Sequence, residues 1–283
     1  MARRRVKAAP RRAAQPATRP ASDQLHAGAS DSQPLTFRQH ALAFVKELAA
    51  VVVAAVIVAS LLRGFVGQMF LIPSISMEST LEVDDRVVVE KLSAAERGEV
   101  IVFKDPGGWL TGAIARQRGP IGKAFQFIGV LPDTGTEHLI KRVIGVGGDR
   151  VACCSPAGRL TVNGEPLDET SYLTAGQGGA QLQPSAIAFD VVVPLDHFLV
   201  MGDNRDHSRD SRCHLHDVQA GGGATGQNAF VSQDLVVGRA IAVVWPLDRQ
   251  HRLAIPDTFD NVPPASQPAP DAATITAGPE ASC

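Results

Sequence analysis

The stretch "LIKRVIGVGGD", Leu139 to Asp149, decides the fold. Leu139, Ile140, Val143 and Ile144 place apolar side chains on both faces of an extended segment, and Gly147-Gly148-Asp149 closes it. That is the pattern of a strand buried inside a sheet. In its middle stands Lys141. A free lysine is neutral in only about four molecules in ten thousand at pH 7, so it can accept a proton only if it is desolvated. An apolar strand is the environment that lowers its pKa.

Working outward, the same type of run recurs as "RVVVEKL", "EVIVFKD", "RLTVNG", "FDVVVPL", "HFLVMGD" and "VVGRAIAVVWP". These runs are rich in Val and Ile and broken by Gly, Pro and Asp, and no helical period of comparable length competes between Gly64 and Ile255. The expected fold class is mainly β, with antiparallel sheets. Asn163-Gly164, between "RLTV" and "EPL", is a two-residue hairpin signal. There is no internal repeat and no phosphate-cradling glycine loop.

One segment breaks the β pattern. From Leu48 to Leu62, "LAAVVVAAVIVASLL" carries no charge, and extension back to Ala41 gives a span long enough to cross a bilayer as a helix, expected over residues 41–62. Residues 1–40 hold eight Lys and Arg against two Asp. That charge places the arm on the cytoplasmic side and everything after Arg63 outside. A cleaved secretory signal needs a small-x-small site behind its apolar core, and Leu61-Leu62-Arg63 is not one, so an uncleaved anchor is expected. The basic arm is interleaved with Ala and Pro and has no aromatic residue before Phe37, which excludes a nucleic-acid reader. Arm (1–40) and Pro/Ala-rich tail (256–283) bury too little to order themselves and are expected to be disordered. Residues 63–255 form the folded domain.

Just past the apolar run, "PSISMESTL", Pro73 to Leu81, gathers three serines and a threonine. A serine is a weak nucleophile without a base. His138, His197, His207, His214 and His216 stand in no triad context; Lys141 is the sharper candidate, although taken alone a lysine in a strand more often snorkels to solvent than serves as a base. Four stretches occur in order behind the anchor: Ser74-x-Ser76-Met77, "RGEVIVFKDP" (Arg97 to Pro106), Lys141 to Gly145 with Gly148-Asp149, and "MGDNRDHSRDSR" (Met201 to Arg212).

Together they resemble the bacterial type I signal peptidases, from about Ala41 to Leu247. The resemblance implies a membrane-anchored β protease that removes signal peptides from exported preproteins, acting at the lipid surface near the secretion translocon and needing no cofactor. It also implies a smaller inserted region near residues 152–196. By position in the motifs, Ser76 is the nucleophile and Lys141 the general base. Ser74 joins the Ser76 backbone N–H in an oxyanion hole, and Ser208 orients the lysine amine. Arg142, Gly202, Asp203, Asp210 and Arg212 brace the site. Phe70, Ile72, Leu81 and Ile140 line shallow pockets for the small side chains of an Ala-x-Ala cleavage site. A hydroxyl cluster so near the lipid then makes sense, because the bond to be cut emerges at the end of the substrate's own membrane segment.

Two competing readings are weaker. A self-cleaving Ser/Lys repressor needs a DNA-binding helix-turn-helix that the arm lacks. A catalytically dead binding module has no reason to keep both Ser76 and Lys141.

The chain departs from the family pattern in two places: Ser79 stands where the family often has proline, and His207 where it usually has asparagine. Adjacent Cys153-Cys154 rarely bridge each other, so Cys213 with one of them is the expected disulfide. Cys213, His214 and His216 match no structural-zinc spacing. "GGWLTGAIARQRGPIGKAFQFIGVLPDTGTE", with Trp109, Phe125 and Phe127 beside Arg116, Arg118 and Lys123, suits either a membrane interface or a satellite core under a basic face. The glycine-rich stretch His216 to Phe230 is expected to be mobile.

Overall fold

The computed structural model describes residues 37–61, 67–110, 138–173, 183–218 and 225–278, with Gly119 and Gly122. Residues 1–36 of the basic arm, and Leu62, lie outside that set.

Helix α1 runs from Phe37 to Leu61. It starts four residues before the expected boundary, so the end of the arm is helical rather than disordered. Its 25 residues extend about 37 Å at 1.5 Å per residue. The part from His40 to Leu61 is long and apolar enough to cross a membrane.

Thirteen strands are found among the described residues, and they form two antiparallel sheets. The first contains β1 (Gly67–Leu71), β2 (Arg86–Glu90), β3 (Val100–Lys104), β4 (His138–Val146), β9 (His197–Met201), β10 (Val231–Ser232), β11 (Val236–Trp245) and β12 (His251–Arg252). Its order is β1-β2-β11-β3-β4-β9-β10, with β12 also paired to β11. The second contains β5 (Arg150–Cys153), β6 (Thr161–Val162), β7 (Glu165–Pro166), β8 (Phe189–Val192) and β13 (Thr274–Ala277), in the order β13-β8-β5-β6-β7. Every β run read from the sequence is a strand. The stretch 152–196, expected to be an inserted region, holds the end of β5 and all of β6, β7 and β8.

Strands β3 and β4 sit mid-sheet and are buried on both faces, which is why they read as unbroken apolar runs. Ile140 joins a cluster with Phe70, Ile72, Met77 and Leu81, whereas Val143 packs with Ile101, Phe103 and Trp109 on the other side. Asn163 (φ 53°) and Gly164 (φ 86°) close the β6–β7 hairpin as the sequence predicted.

The tail corrects an expectation. Residues 256–278 are laid along the domain: Phe259 is buried, and β13 pairs with β8 from Thr274 opposite Val192 to Ala277 opposite Phe189. Leu195 N–H donates to the Pro270 carbonyl, and the Asn163 amide to that of Pro263. A proline-rich chain has less backbone freedom to lose, so a few apolar anchors suffice to fix it.

Of the two alternatives for the Trp109 stretch, the core reading is the one that holds for Trp109 itself. Trp109 is a core residue, stacked on His214 at 4.6 Å and edge-on to Phe103 at 5.7 Å, with its indole N–H on the Asn228 carbonyl. Its companions Arg116, Arg118, Lys123, Phe125 and Phe127 lie outside the described residues. Of the stretch 216–230, residues 219–224 lie outside, while Ala229 and Phe230 are buried. Finally, Cys153 is joined to Cys154. The bridge expected between Cys213 and one of these two is therefore not formed; Cys213 is disulfide-bonded elsewhere, with its Sγ 3.7 Å from the Ser208 carbonyl oxygen.

Candidate active site

The hydroxyl cluster folds as one tight turn. After β1 the chain makes a 3₁₀ turn at Ile75–Met77, with the extended Ser74 before it. Met77 is wholly buried and anchors the turn, and its carbonyl accepts the N–H groups of Thr80 and Leu81. Ser76 is thereby held inward, buried, with its Oγ 3.3 Å from that of Ser74.

Strand β4 brings Lys141 to it. The side chain is 3% exposed, and its Nζ donates to Ser76 Oγ at 2.6 Å and to the Ile140 carbonyl at 3.0 Å. Burial lowers the Lys141 pKa to about 8, against the opposing pull of the Asp210 and Asp203 carboxylates. At neutral pH about a tenth of the amines are then free to accept a proton, roughly two hundred times the fraction in a free lysine.

Four of the five residues expected to brace the site form two buried ion pairs. Arg142 grips Asp203 through Nε at 2.9 Å and Nη2 at 2.6 Å, and reaches the Gly98 carbonyl. Arg212 grips Asp210 through Nε at 2.9 Å and Nη2 at 2.8 Å, and Asp210 also accepts the Gly202 N–H. Burial opposes ionisation of Asp210, but Arg212 and that N–H outweigh it and hold its pKa at about 2. A side chain at Gly202 would stand 2.2 Å from Ser208 Oγ and 2.4 Å from the Ser76 carbonyl. Only glycine lets this strand end close on the nucleophile turn. Asp149 and Arg97, from two further motif stretches, meet at 2.6 Å.

Two expected roles are not seen in this geometry. Ser208 Oγ is buried and makes no hydrogen bond to Lys141. The second hydrogen bond of the amine goes to the Ile140 carbonyl. Leu81 is fully buried in the core, whereas Phe70, Ile72, Pro73, Val102, His138 and Ile140 line the shallow cleft. Three of the four expected pocket residues are thus on the cleft.

Other contributors escaped the sequence reading. Asn204 donates its backbone N–H to the Ser76 carbonyl at 3.2 Å and its amide to the Ile75 carbonyl and to Glu78. Thr80 Oγ1 donates to Asp203 at 2.6 Å. Arg205 pairs with Glu169 inside the protein, and the Arg142 guanidinium lies 4.5 Å over the Tyr172 ring. Asn204 and Arg205 stand within the quoted Met201–Arg212 stretch and were there to be found. Glu169 and Tyr172 come from the inserted region, far along the chain, and nothing local marks them. His214 and His216 do not converge with Cys213: they engage Asp217 and the Gly278 carbonyl respectively.

A buried serine within hydrogen-bonding reach of a lysine with a lowered pKa, on a β scaffold, defines the class of serine hydrolases that use an amine as base. A family model described as signal peptidase, peptidase S26, matches residues 45–245. The chain is 40% identical over 225 residues to a probable signal peptidase I of Mycobacterium leprae, covering 72% of this chain and 77% of that one. It is 36% identical over 229 residues to signal peptidase I of Mycobacterium tuberculosis, covering 72% and 74%. It is also 34% identical over 209 residues to signal peptidase I of Leptolyngbya laminosa, covering 72% and 82%. This chain belongs to the signal peptidase family, peptidase S26.

Proposed function

We propose that the chain is a membrane-anchored serine endopeptidase that removes N-terminal signal peptides from exported preproteins, cutting after Ala-x-Ala-type sites. The observation that carries this reading is the 2.6 Å contact between a buried Lys141 amine and Ser76 Oγ. With the amine neutral, the Ser76 hydroxyl donates to it, and Oγ attacks the scissile carbonyl as the proton passes to Nζ. The Ser74 hydroxyl and the Ser76 backbone N–H receive the oxyanion. The Lys141 ammonium then protonates the leaving amine. Water, deprotonated by the same amine, releases the signal peptide from Ser76.

The cleft of Phe70, Ile72 and Ile140 accepts the small side chains that precede the cut. Helix α1 is the membrane anchor, with the basic arm cytoplasmic and the β domain outside, where preproteins leave the translocon.

The test is cleavage of a precursor bearing an Ala-x-Ala site by the detergent-solubilised full chain, beside Ser76→Ala and Lys141→Ala. Cutting after the second Ala by wild type alone supports the reading. Cleavage that survives either substitution overturns it.

A further inference from the structure

Ser79, three residues past the nucleophile, has φ +81°, a left-handed conformation uncommon for any residue with a side chain. Its Oγ donates to the Tyr172 carbonyl at 2.6 Å, across 93 positions of sequence. Tyr172 belongs to the inserted region, is 5% exposed, and is itself fixed: its hydroxyl donates to Glu169 at 2.7 Å, and Glu169 holds the buried Arg205. The same tyrosine ring supports Arg142, the residue after Lys141 on β4. Thr80, next to Ser79, completes the circuit through Asp203 to Arg142. The turn that carries Ser76 and the strand that carries Lys141 are therefore fastened to one short piece of the inserted region.

We propose that Ser79 and Tyr172 are positioning residues, a clamp through which the inserted region sets the Ser76 turn against Lys141. This rests on the Ser76/Lys141 reading above. The left-handed backbone at position 79 is part of the device. It turns the Ser79 hydroxyl toward Tyr172, and a proline, whose ring fixes φ at about −65°, cannot take its place.

The test separates the hydroxyl from the backbone. Ser79→Gly keeps φ +81° available but deletes the hydrogen bond, whereas Ser79→Asn tolerates the left-handed region and restores a donor. With a synthetic Ala-x-Ala peptide and the detergent-solubilised full chain, Ser79→Gly is expected to lose about ten- to a hundredfold in kcat. KM should stay within about twofold, and the unfolding temperature should not fall. Ser79→Asn should recover part of the loss, and Ser79→Pro should lose both activity and thermal stability.

The pH at which the rate reaches half its plateau is the discriminating readout. A displaced serine lowers the rate at every pH and leaves that midpoint in place. General loosening of the core would wet Lys141 and carry the midpoint upward. Wild-type kcat in Ser79→Gly, or an upward-shifted midpoint, overturns the clamp. Ser76→Ala and Lys141→Met run alongside: if either still cuts, the dyad reading itself has failed, whereas dead controls beside a fully active Ser79→Gly remove the clamp alone.

Discussion

Lys141 Nζ meets Ser76 Oγ at 2.6 Å from a side chain that is only 3% exposed. The proximity provides a path for the proton, and the burial determines the pH at which the path opens. With Lys141 held at about 8, kcat/KM on a peptide substrate is expected to rise about tenfold per pH unit below 8 and to level off above it. Initial rates between pH 6 and 10 check this. A midpoint near that of an ordinary histidine or of a free lysine would place the base elsewhere.

The same burial costs stability. The folded-state pKa of Lys141 lies below its ordinary value, so the ammonium is disfavoured in the folded protein at neutral pH. The penalty is complete below pH 8 and is relieved as pH rises from there to the ordinary lysine value. Lys141→Met, close in shape but uncharged, is expected to abolish cleavage while stabilising the solubilised protein by about 3 kcal/mol at pH 7. The gain should shrink toward pH 10. Urea unfolding of both proteins at the two pH values measures it, and a destabilised Lys141→Met at pH 7 would show that burial of the amine is not costly.

Asp210→Asn separates two functions of one carboxylate. Asp210 raises the Lys141 pKa more than any other neighbour, so its removal should move the activity midpoint below 8. It also leaves Arg212 buried without its carboxylate, which should cost about 3 kcal/mol. In wild type the sign runs the other way from the lysine. The pKa of Asp210 is depressed to about 2, so its stabilisation is present above the ordinary aspartate range and is lost as pH falls through about 2.

What could be read in the sequence follows from how local each signal is. Strands β2, β3, β4, β8, β9 and β11 carry β-branched runs bounded by Gly, Pro and Asp, and Asn163-Gly164 encodes its own turn. Ser76, Lys141 and their ion-paired braces sit in motif stretches. By contrast, β13 is only "TITA" inside a proline-rich tail, and it becomes a strand because β8 offers it an edge. Tyr172 and Glu169 have no local signature, since their roles depend on Arg142, Arg205 and Ser79 arriving from elsewhere in the chain. The Cys153–Cys154 bond was misread for a different reason: adjacent cysteines seldom bridge each other, and nothing local in the sequence tells that Cys213 is bonded elsewhere.

His207 is exposed, and its Nδ1 lies 3.2 Å from the Asn204 side-chain oxygen. With the Asn204 amide donating toward Ile75 and Glu78, its oxygen is an acceptor and the imidazole a donor. An asparagine amide can donate equally well. His207→Asn should therefore keep kcat/KM within about twofold, and a loss of most activity would mean that the imidazole does something the amide cannot.

The tail gives the sharpest contrast between sequence and structure. Phe259 is 6% exposed, shares a cluster with Leu160 and Leu167, and lies over the Tyr172 ring with centroids 6.2 Å apart. Phe259→Ala is expected to cost about 3 kcal/mol through lost burial and the cavity left behind. Truncation after Val262 keeps Phe259 but removes β13, exposing β8 as a sheet edge and taking away the carbonyls of Pro263, Pro270 and Gly278 that Asn163, Leu195 and His216 engage. The truncated protein should unfold several degrees lower than the full chain while retaining kcat/KM at low temperature, because none of these lost contacts of the described residues involves Ser76 or Lys141. Thermal unfolding of the two forms in the same detergent decides it: equal unfolding temperatures would mean that the tail is a passive appendage.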